Sequence, residues 1–255
     1  EWEPTYPAGI IGSGILYEQC KGVLYGKYKS LKSIAVMSLC LSLAYGQPWM
    51  EFDTPVEGVP VLYLQLEMPP ALLHKRLNKM HYHWLDAHNL RPKDKMKPIW
   101  MWSTNYLKLD TASGIKQLAD WVSSLKPKLV IIDPLYKVLS GNILDPNQVR
   151  VLADSIDQFM AEHKVAVLFA HHARKSAIDM EDHQWGSDDM LGSAVFSWWA
   201  DTVLRLVRKE EKNGQIALSL NCDVTRYAED EIENKEILFD RKSMLLRVVQ
   251  PTIKV

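Results

Sequence analysis

The sequence predicts an α/β fold with a mostly parallel central sheet flanked by helices and with antiparallel strands at its C-terminal edge. Two features of the residue pattern predict it. Through about the first 170 residues, short apolar runs of strand length alternate with longer helical segments, which is typical of a parallel sheet whose strands are connected by helices. From about residue 202 onward, strand-like runs follow one another with turn residues between them, which favours antiparallel strands added at one edge.

The first half of the chain predicts three helices and three strands. The helix over residues 33–45 is apolar nearly all round, which indicates burial on several sides. The helix over residues 69–80 has proline in its first turn, and Thr111 is placed to cap the helix over residues 111–125. The strands are expected at residues 22–26, 61–66 and 98–102.

The second half continues the alternation and then changes character. Apolar strands at residues 129–132 and 165–170 flank an amphipathic helix at residues 146–163. Residues 175–189 are polar and lack periodicity, which predicts a loop, and a short helix is expected at residues 190–200. The closing strands are expected at residues 202–207, 216–220, 236–239 and 245–249, with turns at Asn213-Gly214 and in the acidic stretch 229–233.

The composition is that of a globular protein, and we expect one domain over residues 1–255. The chain is 47% hydrophobic and 24% charged, with a formal net charge of -1, so any nucleic-acid contact must come from a local patch. Cys20, Cys40 and Cys222 are too widely spaced for a zinc site, which favours reduced thiols and a cytoplasmic location. The longest apolar run, residues 34–45, is too short to span a bilayer, so we expect no membrane partner.

A nucleotide-binding loop is predicted between the first strand and the first helix. Its sequence is Gly26-Lys27-Tyr28-Lys29-Ser30-Leu31-Lys32-Ser33. In the pattern G-x-x-x-x-G-K-S/T, backbone N–H groups and the helix N-terminus cradle phosphates, the lysine reaches the β- and γ-phosphates, and the hydroxyl holds Mg²⁺. Leu31 replaces the second glycine, which costs little only if its φ is below zero. The alternative is a lysine-rich turn that binds no nucleotide.

Two acidic residues follow apolar strands and are candidates for metal binding and general-base catalysis. Asp133 ends the strand Val130-Ile131-Ile132, and Glu67 follows Leu64-Gln65-Leu66. Because ligands bind at the carboxyl ends of parallel strands, Asp133 is placed to bind Mg²⁺ and Glu67 to polarise the attacking water. The alternatives are a turn cap before Pro134 for Asp133 and a solvated charge for Glu67.

Three segments resemble the core motifs of RepA-type plasmid hexameric helicases. They are VLYLQLEMPP at residues 61–70 with the following HKRL at residues 74–77, LFAHHARK at residues 168–175, and LGSA at residues 191–194. Together with the loop that contains Lys32, their order resembles the RecA-like P-loop ATPase core over about residues 15–240. The resemblance implies a RecA-like domain that assembles into a ring, usually of six subunits, with ATP between neighbours.

The resemblance also implies individual roles. Lys32 and Ser33 bind phosphate and Mg²⁺, Asp133 binds Mg²⁺, and Glu67 is catalytic. His171 matches the sensor position that reports the γ-phosphate state to the following loop. Arg226 is the positional match for the arginine that a neighbouring subunit donates to the transition state; the alternative is an exposed surface arginine.

Two loops are expected to face the centre of such a ring, at residues 136–147 and 175–189. Lys137, Arg174 and Lys175 are the candidate contacts to a phosphate backbone. The second loop also contains five acidic residues, which oppose DNA binding.

Two functions therefore stay open. The first is an ATP- and Mg²⁺-dependent ring translocase or helicase that acts on single-stranded DNA in plasmid- or phage-type replication, with a primase or initiator as a separate partner. The second is a non-motor RecA-like ATPase switch or recombinase-type regulator that binds a protein partner, which the near-neutral net charge and the acidic loop favour.

Overall fold

The computed structural model describes residues 7–104, 106–173, 190 and 195–249. The elements in these ranges are strands β1 Gly9–Ile11, β2 Leu16–Tyr17, β3 Lys21–Gly26, β4 Val61–Gln65, β5 Ile99–Ser103, β6 Leu129–Asp133, β7 Ala166–His172, β8 Thr202–Lys212, β9 Gln215–Thr225, β10 Lys235–Asp240 and β11 Leu246–Val249. The helices are α1 Lys32–Tyr45, α2 Pro70–Ala87, α3 Ala112–Leu125, α4 Pro146–His163 and α5 Val195–Trp199, with a 3-10 turn at Leu135–Val138.

The described strands form one large sheet and one small hairpin. The large sheet has nine strands in this part of the chain, in the order β11-β10-β9-β8-β3-β7-β6-β4-β5. The strands from β8 through β3 to β5 are parallel, and β8 to β11 pair antiparallel. The predicted fold class is therefore confirmed.

Some boundaries differ from those predicted. Strands β8 and β9 each run five or more residues beyond the expected ranges and meet at the predicted Asn213-Gly214 turn, where both residues have positive φ. The hairpin of β1 and β2 was not predicted. The expected start of the helix at residue 190 is also corrected, because Met190 forms a β-bridge with Ala173; among the described residues, the helix α5 covers Val195–Trp199.

Alternating side chains along each strand divide the interior into two apolar clusters. One contains Leu24, Tyr63, Ile131 and Leu168 and is covered by α1 and α2. The other contains their neighbours on the opposite face, such as Val23, Ile132 and Phe169, and is covered by α3 and α4. Adjacent strand residues point to opposite faces of the sheet. Every second residue of a strand therefore lies on the face covered by α1, and the residues between them lie on the other face.

This arrangement brings the carboxyl ends of β3, β4, β6 and β7 to one edge of the sheet, beside the start of α1. It is the edge at which parallel α/β sheets bind ligands. Among the described residues, no helix is both long and apolar enough to cross a membrane.

Candidate nucleotide-binding site

The predicted nucleotide loop connects β3 to α1. Gly26 is required by a close approach, since a Cβ atom there would lie 2.4 Å from the backbone oxygen of Leu206 and 2.7 Å from Ser30 Oγ. Ser30 is buried, whereas the side chains of Tyr28 and Lys29 are exposed at the rim of the cleft. The eight predicted residues therefore form a folded turn and not an open loop.

Leu31 adopts a left-handed conformation, with φ 69° and ψ 23°, at the N-cap of α1. The condition under which leucine would replace glycine at little cost, a negative φ, is therefore not met. A left-handed conformation costs a non-glycine residue about 1–2 kcal/mol. The strain is offset in part by contacts, because the half-buried Leu31 side chain packs against the core and its carbonyl accepts from the N–H groups of Ile34 and Ala35, both at 3.0 Å.

The ammonium group of Lys32 folds back onto the loop. Its Nζ donates to the carbonyl oxygens of Gly26 at 2.9 Å and Lys27 at 3.0 Å, and lies 3.4 Å from Ser30 Oγ. Burial lowers the pKa of Lys32 to about 8, against the opposing effect of nearby Asp133 and Glu67. A buried cation held by neutral carbonyl groups is well suited to bind a phosphate group that enters the turn.

Asp133 is buried at the end of β6 and is surrounded by hydrogen-bond donors. Its Oδ2 accepts from the Tyr63 hydroxyl at 2.8 Å, and the Ser33 side chain is hydrogen-bonded to both groups. Burial raises the pKa of Asp133, while the contacts to Ser33, Tyr63 and Lys32 lower it. Ser33 and Asp133, the two residues expected to bind Mg²⁺, thus present a hydroxyl and a carboxylate close together.

The oxygen atoms of Ser33 and Asp133 fit a hard cation whose remaining ligands are supplied by a nucleotide and by water. Within the described ranges, no group of three or more His, Cys, Asp or Glu side chains is arranged to hold a metal ion. Mg²⁺ commonly binds through one or two protein oxygens together with phosphates and waters. The oxygen pair of Ser33 and Asp133 therefore suits Mg²⁺ that arrives with a nucleotide.

Glu67 lies at the turn after β4 and is held by two neighbours that the sequence did not single out. The buried Gln65 accepts through Oε1 from the backbone N–H of Glu67 at 2.9 Å and from that of Met68. The Tyr136 hydroxyl, in the 3-10 turn after β6, donates to Glu67 Oε1. Burial, followed by this hydrogen bond, raises the pKa of Tyr136, so the hydroxyl remains a donor at neutral pH.

The structure places His172, and not His171, in the cleft. His171 is fully buried with its ring edge-on to Phe196, at 5.6 Å between centroids, on the face that carries α4 and α5. His172 lies on the α1 face, 5.8 Å from the Tyr136 ring, and burial followed by the charge of Lys32 lowers its pKa. Of the two histidines, the one that the sequence analysis singled out therefore lies outside the cleft, and its neighbour lines it.

The cleft has a volume of about 630 Å³ and is lined by most of the predicted site, namely Tyr28, Lys29, Ser30, Leu31, Lys32, Ser33, Glu67 and Asp133. Three arginines that were not predicted also line it: Arg76 of α2, Arg208 of β8 and Arg241 after β10. Glu211 pairs with Arg208 at 2.5 Å and with Arg241 at 2.6 Å. This one glutamate faces two of the arginines, while Arg76 and Lys29 add further positive charge, so the rim remains basic and suits a polyanion.

Arg226 lies away from this cleft. It directly follows β9, and the last residue of β9, Thr225, pairs with Thr202 of β8. Thr202 pairs with Gly22, which lies near the start of β3. The opposite end of β3 carries the nucleotide loop, roughly 13 Å away at about 3.3 Å per residue. The Arg226 side chain donates to the carbonyl of Trp198, so it does not reach the phosphate site of its own subunit.

The candidate nucleic-acid contacts are only partly described. Lys137 lies in the 3-10 turn, with its Nζ 5.5 Å from the centroid of the Tyr136 ring and its carbonyl accepting from Lys108 Nζ at 2.6 Å. It is therefore next to the residue that contacts Glu67. Arg174, Lys175, the predicted loop 175–189 and the segment 191–194 lie outside the described residues.

A P-loop after the first strand of a parallel sheet, with acidic residues after two further strands of that sheet, is typical of the class of P-loop ATPases. The chain belongs to the family described as "AAA domain", whose profile matches residues 1–177. The predicted class of enzyme, an ATPase, is thereby confirmed. Among curated proteins, none matches the chain at a significant level.

Two solved structures, one of an ATPase domain and one of a replicative helicase, share this fold. The ATPase domain matches with a TM-score of 0.68 and 13% identity over 92% of this chain and 86% of that chain. A DnaB-like replicative helicase, solved with regard to its interactions with primase, matches with a TM-score of 0.68 and 13% identity over 91% of this chain and 59% of that chain. The predicted resemblance to the RecA-like helicase fold is confirmed; at this identity the likeness establishes the fold alone.

Proposed function

We propose that the chain is the ATPase domain of a ring-forming translocase or helicase that moves along single-stranded DNA, in the replication of a plasmid- or phage-like element. The observation that carries the proposal is the convergence of Lys32, Ser33, Glu67 and Asp133 on one basic cleft in a fold shared with a solved ATPase domain and a DnaB-like replicative helicase. A primase or initiator would be a separate partner, as the similar DnaB-like helicase was solved in relation to primase.

In the proposed reaction, the backbone of the loop and Lys32 hold the phosphates of ATP. Ser33 and Asp133 would hold Mg²⁺, which would neutralise charge on the β- and γ-phosphates. Glu67 accepts a proton from the attacking water, and its turn is positioned by the Gln65 amide. His172, close to both Lys32 and Tyr136, takes the sensor role that was expected of His171.

The ring is proposed because the cleft is open and the candidate transition-state arginine lies elsewhere. Arg226 is at the far end of the sheet from the nucleotide loop of its own subunit, so a transition state that it contacts would be that of a neighbouring subunit. We therefore keep Arg226 as the candidate that a neighbour donates, and we expect ATP to lie between subunits.

The contact to DNA is proposed at the carboxyl edge of the sheet, beside the cleft. Lys137 follows Tyr136 in the chain, and the Tyr136 hydroxyl donates to Glu67. Tyr136 therefore connects a phosphate bound at Lys137 with the proposed catalytic residue Glu67. Arg174 and Lys175 follow β7, whose last residue His172 lines the same cleft, and are proposed to act with Lys137.

ATP hydrolysis measured with and without single-stranded DNA tests the proposal. We expect stimulation by DNA in the wild type, loss of turnover in Lys32→Ala, and reduced stimulation with an unchanged basal rate in Lys137→Ala. Lys116→Ala is the matched control, because Lys116 is an exposed lysine of α3 that pairs only with Asp120 in the described contacts. Light scattering in the presence of ATP and DNA should show a ring, and a strict monomer would contradict the proposal.

The same assay distinguishes the second candidate, a non-motor ATPase switch that binds a protein partner. The formal net charge of -1 favours this candidate, since an extended basic field would be expected of a strong DNA-binding protein. ATP turnover that depends on Lys32 but is indifferent to single-stranded DNA would support the switch and contradict the motor.

A further inference from the structure

Tyr63 makes a contact in the site that P-loop chemistry alone does not require. Its side chain is fully buried in β4, and its hydroxyl donates to Asp133 Oδ2 at 2.8 Å on the neighbouring strand β6. The side chains of Tyr63, Gln65 and Asp133 all lie on the face of the sheet that α1 covers. Tyr63 packs in the apolar cluster on that face, Gln65 is two residues further along β4, and Asp133 pairs with Gln65 in the parallel register. A phenylalanine would fill the same space without holding the carboxylate.

The hydrogen bond limits what Asp133 can offer to a cation. Tyr63 has no access to solvent, so its hydroxyl cannot exchange Oδ2 for water, and Ser33 is hydrogen-bonded to the same pair. A carboxylate with one oxygen held in this way presents a single oxygen to an ion, directly or through water, and is hindered from binding it with both.

The number of available oxygens distinguishes Mg²⁺ from Ca²⁺. Mg²⁺ is six-coordinate, keeps several waters, and needs only one oxygen from a carboxylate. Ca²⁺ takes six to eight oxygens and often binds carboxylates through both. Both ions bind ATP, so discrimination between them at the site depends on the number and geometry of the protein ligands.

We propose that Tyr63 is a specificity-determining residue, which selects Mg²⁺ over Ca²⁺ at the nucleotide site by holding Oδ2 of Asp133. Tyr63 touches neither nucleotide nor cation and acts through Asp133, so it is a positioning residue. The inference rests on the assignment of the cleft to ATP with a divalent cation, and not on DNA translocation.

The test measures binding of a fluorescent ATP analogue to the full chain, without DNA and without turnover, as Mg²⁺ or Ca²⁺ is titrated. The ratio of the half-saturating concentrations of Ca²⁺ and Mg²⁺ is compared between the wild type and Tyr63→Phe. Tyr25→Phe is the matched control, because Tyr25 is equally buried, lies on strand β3 of the same sheet, and donates to Asp223 Oδ2 at 2.6 Å on the other face of the sheet.

We expect the wild type to require more Ca²⁺ than Mg²⁺, and Tyr63→Phe to reduce the ratio about tenfold, the size of one hydrogen bond to a charged group. Tyr25→Phe should leave the ratio unchanged. A Tyr63→Phe variant that weakens both ions by one common factor would overturn the inference, because a purely structural defect has that effect.

The wild type provides a test that does not depend on a folded variant. If the unmodified protein binds the analogue equally well with Ca²⁺ and Mg²⁺, the proposed selectivity is absent and the inference fails. Either failure leaves the proposed motor function untouched, since that function is judged by the stimulation of ATP turnover by DNA and by ring assembly.

Discussion

Replacement of Leu31 by glycine and, separately, by alanine isolates the energetic cost of the left-handed residue in the nucleotide loop. Both variants lose the same packing of the half-buried leucine side chain against the core. They differ in that alanine keeps the strain of φ 69° and glycine does not. We therefore expect Leu31→Gly to be the more stable variant, although glycine is ordinarily the less stable of the two.

The expected difference follows from two opposing terms. Alanine in a left-handed conformation costs about 1–2 kcal/mol, whereas glycine loses about 0.4–1 kcal/mol through the greater freedom of the unfolded chain. The net advantage of Leu31→Gly is about 1 kcal/mol, which corresponds to roughly 2–4 °C in Tm for a chain of this size.

The assay is reversible unfolding by urea, or thermal unfolding, of both variants without nucleotide. Ser38, in the middle of α1, is the matched control site, where the helical conformation should make Ser38→Ala more stable than Ser38→Gly by about 1 kcal/mol. The order of glycine and alanine should therefore be reversed between positions 31 and 38. If alanine is the more stable residue at both positions, the left-handed conformation of residue 31 is refuted.

Three further predictions concern the site. Burial lowers the pKa of Lys32 to about 8 from its ordinary value of 10.5, so between these two pH values the unfolded chain holds the proton and the folded chain does not. The free energy of unfolding of the nucleotide-free protein should therefore rise with pH between about 8 and 10.5. Over the same range the affinity for ATP should fall by up to about tenfold per pH unit, because the phosphate-binding ammonium loses its charge. Denaturation measures the stability and calorimetric titration measures the ATP affinity across this pH range. Stability and affinity that change in the same direction would contradict the prediction. His172→Ala should lower ATP turnover with little loss of stability, whereas His171→Ala should destabilise the fold by about 1–3 kcal/mol because His171 is fully buried; unfolding curves and turnover of both variants decide, and the reverse pattern would return the sensor role to His171. Gln65→Leu removes the acceptor for the N–H groups of Glu67 and Met68, so kcat should fall about tenfold or more with the KM for ATP unchanged, and a change confined to KM would show that Gln65 contributes to binding instead.

The sequence by itself determined the fold class and the centre of the site, because both are local signals. Apolar runs of strand length and the helix-forming segments between them depend only on neighbouring residues. The candidate nucleotide loop is contiguous, so Lys32 and Ser33 could be proposed without knowledge of what packs around them. The acidic residues Glu67 and Asp133 could be proposed because each lies at the end of an apolar strand.

Only the tertiary structure decided which of two adjacent histidines enters the cleft. His171 and His172 are adjacent in β7, so their side chains point to opposite faces of the sheet. Which of the two faces the cleft depends on which face α1 covers, and that is known only from the tertiary structure. Tyr63 and Gln65 left a weaker signal, as two polar side chains at alternate positions of an apolar strand, but their partners lie on other segments.

Two of the arginines at the rim of the cleft, Arg208 and Arg241, carried no local signal. Arg208 and Arg241 reach the nucleotide loop because β8 pairs with β3, and β10 and the turn after it join the sheet beyond β8. The sign of φ at Leu31 was likewise set by how the loop must turn to enter α1, which the sequence at that position does not favour. Features of this kind depend on strand pairing and helix packing between residues that are far apart in the chain, and a linear sequence does not specify them locally.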